Sequence, residues 1–267
     1  MKLLFIGDVV GRPGRNIIRR TLPKLIEQEK LDLVIANAEN AAGGSGFTPG
    51  IYKELTGAGV DAFTLGDHVY RRREIYPLLD RETNVARPAN IPEEAAGRQW
   101  ATVEARNGVR VGFCCLLGQL FMKPADNPWR VADRVLTAMP SDVCVRFVDF
   151  HVEATSEAQL MGRYLDGRVS AVLGTHTHVP TADECVLPGG TAFQCDVGMT
   201  GPYESILGRR IDRVMETKLT GMPTQFDVAE GDVRLCGSMV EVDPETGRAS
   251  RIERVCVRED EQTQGDH

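Results

Sequence analysis

Short apolar runs that stop at glycine or at a polar residue recur along the chain, and segments of helical period separate them. Lys2–Gly7 (K-L-L-F-I-G), Leu31–Ala38, Val60–Leu65, Cys144–Phe150, Val169–Leu173 and Thr191–Cys195 each read as a short buried strand. After the first of them, Arg15–Lys30 places Ile17, Ile18, Leu22, Leu25 and Ile26 on one face of a helix, with Pro23 as a kink. Thr48-Pro49 carries the signature of an N-cap and first helical position, and Arg71–Arg73 opens a short helix whose charges read as a solvated face. Val131–Met139 and Glu153–Leu165 suit two further helices, the second with Thr155 or Ser156 near its start. Strands alternating with helices predict an α/β fold. Gln99–Ala105 and Val109–Leu117 flank Asn107-Gly108, a type I′ hairpin signal, so the sheet is mixed. Thr224–Val257 predicts two or three antiparallel strands turning at Glu230-Gly231 and Pro244–Gly247. One domain over residues 1–257 is expected, followed by a polar, disordered tail at 258–267.

Composition narrows the function classes. The 267 residues carry a net charge of −7, which disfavours general nucleic-acid binding, because that needs a basic face. No apolar run approaches the roughly 20 residues of a membrane span, and Gly7-Asp8 interrupts the first run before a signal-peptide core is reached, so a cytoplasmic protein is expected. The seven cysteines show no C-x-x-C spacing and read as small buried hydrophobes in a reducing compartment. Gly43–Gly46 lacks the lysine of a P-loop and reads as a flexible loop.

Candidate chemistry lies at the strand ends. Of five histidines, His68, His151, His176 and His178 follow or end apolar runs, and His267 closes the chain. His176 and His178, at i and i+2 of an extended segment, would share one side and face one centre. The other strand ends add Asp8, Glu39-Asn40 and Asp67. In α/β sheets such ends share one edge, where ligands bind. Three carboxylates, an amide and three or four imidazoles exceed the needs of one four-coordinate ion, which suggests two metals with a bridging carboxylate. Nitrogen and oxygen donors without thiolate suit Mn, Fe or Zn.

Gly7-Asp8, Glu39-Asn40, Gly66-Asp67-His68, His151 and Gly174-Thr175-His176-Thr177-His178, in this order, resemble the calcineurin-like metallophosphoesterases. The stretches A-N-A-E-N, H-V-E-A-T-S-E and D-V-G-M-T-G-P resemble the bacterial YmdB branch of that superfamily. The resemblance implies an α/β/β/α sandwich of two mixed sheets flanked by helices. It also implies a phosphodiesterase acting through metal-activated water on small cyclic nucleotides, 2′,3′-cyclic and 3′,5′-cyclic AMP among them. By position, Asp8, Glu39, Asn40 and His178 would hold one ion, and Glu39 as bridge, Asp67, His151 and His176 the other. His68 would protonate the leaving oxygen.

Two departures stand out. The superfamily's D-x-H is Asp8-Val9-Val10 here, with Asn40 in place of the missing histidine, and Asp67 stands where the pattern has asparagine. A carboxylate at 67 still ligates, but it adds negative charge and makes the site less electrophilic. A metal-dependent amidohydrolase also uses H-x-H, but there the motif comes early and a lysine or late aspartate completes the site. A metal-binding regulatory or scaffold protein with little turnover is the alternative, against which the retention of His68 argues. Apolar helix faces suit a dimer or tetramer interface as well as the core.

Overall fold

The computed structural model describes residues 1–259. Strands β1 (Lys2–Ile6), β2 (Leu33–Asn37), β3 (Ala62–Thr64) and β4 (Val85–Ala86) lie parallel and form four of the seven strands of one sheet. The chain then builds a second sheet from β5 (Trp100–Glu104), β6 (Arg110–Leu117), β7 (Val145–His151), β8 (Ala171–Thr175), β9 (Cys185–Val186) and β10 (Ala192–Gln194), in the order β5-β6-β7-β8-β10-β9. It returns through β11 (Gly201–Pro202), β12 (Val233–Val242) and β13 (Ala249–Arg258), with β12 antiparallel to β1. Both sheets are mixed.

Alternation of side chains across each strand sorts the core into layers. Leu3, Phe5, Leu33 and Ile35 face Phe113, Val145, Phe147 and Leu173 between the sheets, with the Phe5 and Phe147 ring centroids 4.7 Å apart. The opposite faces, Leu4, Ile6, Val34 and Phe63, are covered by α1 (Gly11–Glu29), α2 (Pro49–Gly57) and α3 (Tyr76–Arg81). Helices α4 (Pro128–Ala138) and α5 (Thr155–Leu165) cover Leu116, Val148, Phe150 and Val172 on the far side. The expected α/β/β/α arrangement of two mixed sheets flanked by helices is the one observed. Helix α6 (Ile211–Thr220) differs from the others: none of its residues is buried.

Several local expectations change. Helix α1 starts at Gly11 rather than Arg15 and runs on through Pro23. Its first turn, Gly11–Gly14, carries no large apolar residue and therefore no periodic signal. The β5–β6 hairpin is not a type I′ turn. Gly108 has φ +82°, whereas Asn107 is absent from the positive-φ residues, and Gly108 N–H donates to Ala105 O at 2.9 Å, which makes a type I turn closed by a left-handed glycine. Helix α5 begins at Thr155 rather than Glu153, so Thr155 and Ser156 do stand at its start, and Ala154 precedes it without a side-chain cap. Cys114, Cys115, Cys195 and Cys236 are buried, but Cys144, Cys185 and Cys256 are exposed. The expected tail starts too early, since Arg258 ends β13; positions 260–267, His267 included, lie outside the described residues.

The inner layer turns polar at the carboxyl ends of its strands. Two residues beyond Ile35 on the same face stands Asn37; beyond Ala62, Thr64; beyond Phe147, Asp149 and then His151; beyond Leu173, Thr175. Asp149 is fully buried and ties the sheets together. Its carboxylate accepts from Thr64 Oγ1 at 2.6 Å and Asn37 Nδ2 at 3.0 Å on one sheet, and from Thr175 Oγ1 at 2.6 Å on the other. Burial pushes its carboxyl up to about 6, against the lowering pull of His151 and these three bonds. That folded-state value lies above the unfolded value of about 3.9. The contribution is therefore fully present below pH 4 and is lost as pH rises through 6.

We expect Asp149→Asn, which cannot titrate, to be destabilised in urea, and more so at pH 4.5 than at pH 7. The gap from wild type should narrow by roughly 2–3 kcal/mol, at about 1.4 kcal/mol for each pKa unit. A gap that stays constant across that range would show that Asp149 does not titrate there.

Candidate metal centre

Five strands deliver the predicted residues to one place between the sheets. Asp8 follows β1, Glu39 and Asn40 follow β2, Asp67 and His68 follow β3, His151 ends β7, and His176 and His178 follow β8. Donor atoms of Asp8, Glu39 and His151 lie within 4.8 Å of one another, as do those of Asp67, His151 and His176, and those of Glu39, Asp67 and His68. Glu39, Asp67 and His151 each belong to two of these groups. His178 joins at the Asp8 side, with Nε2 3.8 Å from Asp8 Oδ1 and 3.2 Å from Asn40 Nδ2. Gly66 lets the walls meet, because a Cβ there would overlap Glu39 Oε2 and His151 Nε2.

The H-x-H pair converges for a different reason from strand alternation. Strand β8 ends at Thr175, and His176 and His178 have φ of 106° and 65°, in the left-handed region. Such backbone costs of order 1–3 kcal/mol per residue and persists where its surroundings impose it. Here His176 N–H donates to Asp8 Oδ2 at 3.0 Å, and Thr177, between the two histidines, donates both N–H and Oγ1–H to Asp196 Oδ2 at 2.9 and 2.8 Å.

Each carboxylate is held through one oxygen and faces the cluster with the other. Asp8 Oδ2 accepts from His176 N as above, Glu39 Oε2 accepts from His68 N at 2.8 Å, and Asp67 Oδ2 accepts from Lys123 Nζ at 3.0 Å. Asp67 Oδ1 is buried, 3.4 Å from His151 Nε2 and 3.8 Å from His176 Nδ1, yet it forms no hydrogen bond. The imidazoles follow the same rule. His151 Nδ1 meets Thr175 Oγ1 at 2.8 Å, His178 Nδ1 meets Leu207 O at 3.1 Å, and His176 Nε2 meets Glu153 Oε2 at 3.1 Å. Fixing one ring nitrogen sets the orientation of the other, as in metal-binding histidines generally. Asn40 is the exception. Its Oδ1 takes His68 Nδ1 at 2.8 Å while Nδ2 points at Glu39 Oε1 and Asp8 Oδ1, at 3.3 and 3.4 Å. Ligation through Asn40 would require a half-turn of the amide.

The electrostatics show what the cluster lacks. Burial pushes Glu39 up, but the His151 imidazole outweighs it and holds the carboxyl below its usual range. Asp67 is also held low, because contacts with His151, His68 and Lys123 overcome its burial. Burial would lower His151, but Glu39, Asp67 and Asp8 raise it well above an ordinary imidazole. Burial and His151 together lower His176. A fully buried imidazole is thus driven to take a proton because converging carboxylates demand positive charge. Divalent metal ions would supply that charge, and the unpartnered Asp67 Oδ1 and the mixed oxygen and nitrogen donors fit them.

Composition and spacing do not single out several residues that matter here. Asp149 and Asn37 orient His151 and Glu39 from behind: Asp149 accepts from Thr175, and Asn37 Oδ1 accepts from Glu39 N at 3.2 Å. A signal did exist, since each lies two residues before a candidate ligand on the same strand face. Asp196 is buried, and burial together with the charge of Asp8 pushes it up to about 8. Lys123 comes from a loop with no periodic pattern, and Glu153, expected to open α5, lies in the loop before it. Gly43–Gly46 is pinned rather than free, since Arg72 and Arg209 donate to its carbonyls and to that of Ala42.

The comparisons with known proteins agree on one family. A 2′,3′-cyclic-nucleotide 2′-phosphodiesterase of Bacillus subtilis is 44% identical over 260 residues, spanning 97% of this chain and 98% of its own. A solved structure of a hypothetical protein from Thermus thermophilus superposes with a TM-score of 0.90 at 42% identity, over 97% of this chain and 99% of the other. That of a novel phosphatase from Mycoplasma pneumoniae gives 0.90 at 32% identity, over 97% and 93%. The family model of YmdB-like proteins matches residues 4–255, and the chain belongs to that family.

Proposed function

We propose that the chain is a metal-dependent phosphodiesterase of the cytoplasm that hydrolyses 2′,3′-cyclic nucleotides first and 3′,5′-cyclic AMP second. The observation that carries this reading is a set of three carboxylates and three imidazoles, each restrained on one side and turned inward on the other, with His68 beside them. The similar Bacillus subtilis protein, named a 2′,3′-cyclic-nucleotide 2′-phosphodiesterase, supports the ester class.

In this reading Asp8, Glu39, Asn40 and His178 would hold one ion, and Glu39, Asp67, His151 and His176 the other. Iron or manganese suits these donors, and zinc is a third choice. Such ions supply Lewis-acid stabilisation of the phosphoryl charge and acidify the attacking water. The protein's own groups then do the rest. Lys123 offsets the charge that Asp67 adds where the superfamily has an amide. Asn40 holds His68 at Nδ1, leaving Nε2 turned toward Asp67 Oδ2, 3.9 Å away. Asn40 Oδ1, which has two lone pairs, accepts from Nδ1–H, so the imidazolium carries its second proton on Nε2 and becomes a neutral ring when it gives that proton up. From there the proton passes to the leaving oxygen as the P–O bond breaks, and an imidazole suits that task near neutral pH. A homo-oligomer belongs to the same reading, since α6 exposes Ile211, Met215 and Leu219.

Purified wild type should contain transition metal at about two ions per chain and turn over 2′,3′-cyclic AMP. His68→Ala should keep that metal and lose about 10²–10⁴-fold in kcat. Wild-type protein that binds metal but hydrolyses neither cyclic ester would instead indicate a regulatory protein of the same fold. His176→Ala, at a partly buried ring, should hold less metal by plasma mass spectrometry while its urea midpoint stays near wild type. Full retention of both ions would remove His176 from the ligand set.

A further inference from the structure

On the Asp67 side of the cluster lies a cavity of about 460 Å³ that the chemistry above does not use. Small-ligand pockets span about 300–1,000 Å³. One wall is the segment from Pro88 to Ala95, with Ile91 and Pro92, and the other comes from Leu117, Lys123 and Pro124. Gly66, Asp67, Val69, Tyr70 and Arg71, on either side of His68 in sequence, complete the lining.

Both walls are held by buried polar groups that serve no other site. Arg87, 1% exposed, gives its guanidinium to backbone carbonyls of the first wall: Nη1 to Pro88 at 2.7 Å, Nη2 to Pro92 at 3.2 Å and Glu93 at 3.3 Å, and Nε to Ala95 at 3.2 Å. Asn90 belongs to this wall and fastens the other, donating Nδ2–H to Leu117 O at 2.8 Å and Asp126 O at 3.0 Å and accepting from Leu117 N at 2.8 Å. Tyr70 Oη donates to Ala96 O at 2.6 Å. Burying a guanidinium is costly unless its donors are met, and here all the bonds go into fixing one loop. The cavity is therefore preformed, with mainly apolar, proline-rich walls that also carry Asp67, Arg71 and Lys123.

Its position relative to His68 selects the occupant. His68 Nε2 turns toward Asp67 Oδ2, and the same oxygen accepts from Lys123 at the cavity's edge. A leaving oxygen protonated at Nε2 therefore sits at the mouth of the cavity. In a cyclic nucleotide that oxygen belongs to the ribose that carries the base. A flat heterocycle suits apolar walls with a tyrosine ring, and the anionic phosphate suits Lys123. We propose that this cavity is the nucleoside subsite, taking the base between the Pro88–Ala95 wall and Pro124, with Lys123 at its entrance. The proposal rests on the phosphodiesterase reading.

Ala95→Phe and Pro124→Trp fill the cavity from opposite walls, and Pro124 is exposed, so at least that variant leaves the core untouched. Their turnover of 2′,3′-cyclic AMP is compared with that of glycerol 1,2-cyclic phosphate, the same five-membered diester without a base. Relative to wild type, the ratio of kcat/KM for the two esters should fall about tenfold, equivalent to about 1.4 kcal/mol, and the change should lie in KM. An unchanged ratio in a folded variant overturns the subsite and leaves the phosphodiesterase reading intact. Calorimetric titration with adenosine 3′-phosphate tests the cavity without turnover. Binding weakened about tenfold in both variants supports it even if the wild type hydrolyses neither ester, in which case the phosphodiesterase reading fails alone; equal binding overturns it.

Discussion

The Asp149 carboxylate, sealed between two sheets, is the interaction on which the rest of the site depends. It is the point where the apolar sandwich ends and the polar cluster begins. Thr64 and Asn37 reach it from one sheet and Thr175 from the other, so its three acceptor bonds fix how the two sets of strand ends face each other. Through Thr175 the same group sets the ring of His151, and through Asn37 the backbone of Glu39. A carboxylate buried this deeply is costly, and it is tolerated because each of these donors is itself buried and would otherwise be unsatisfied.

From that anchor outward, one construction repeats. Every candidate ligand except Asn40 gives one polar atom to the scaffold and keeps the other for the centre. The partner is a backbone N–H for Asp8 and Glu39, a backbone carbonyl for His178, a hydroxyl for His151, and charged side chains for Asp67 and His176. Preorganisation of this kind removes the entropy of gathering flexible side chains around an ion. It concentrates negative charge as well, which is why a buried imidazole is pushed toward its protonated form. The departure at Asp67 fits the pattern, because Lys123 supplies a cation for the additional carboxylate.

The cavity beside Asp67 uses the same construction on a larger scale. Arg87 and Asn90 are buried polar residues whose side chains bond to backbone groups, and they tie the Pro88–Ala95 segment to the end of β6 and to the loop at Asp126. Segments without regular hydrogen bonding are otherwise the mobile parts of a fold.

Strand runs, helix periods and the polar residues that end each strand are local properties, and they were legible in the residues themselves. The α/β class, the mixed sheets and the eight candidate residues Asp8, Glu39, Asn40, Asp67, His68, His151, His176 and His178 follow from such spacing or from the motifs that resemble the metallophosphoesterases. Half of the supporting shell was readable in principle, since Asn37 and Asp149 lie two residues before Glu39 and His151 on one strand face. What local pattern could not decide is any pairing across the fold. His176 and His178 converge through left-handed backbone imposed by Asp8 and Asp196, which lie far off in sequence, and not through strand alternation. The meeting of Asp67 with Lys123, 56 residues away, and the closing of a cavity by Arg87 and Asn90 are likewise tertiary. A loop side chain has no period to reveal its direction, so only the packed structure determines which groups its charge or amide will satisfy.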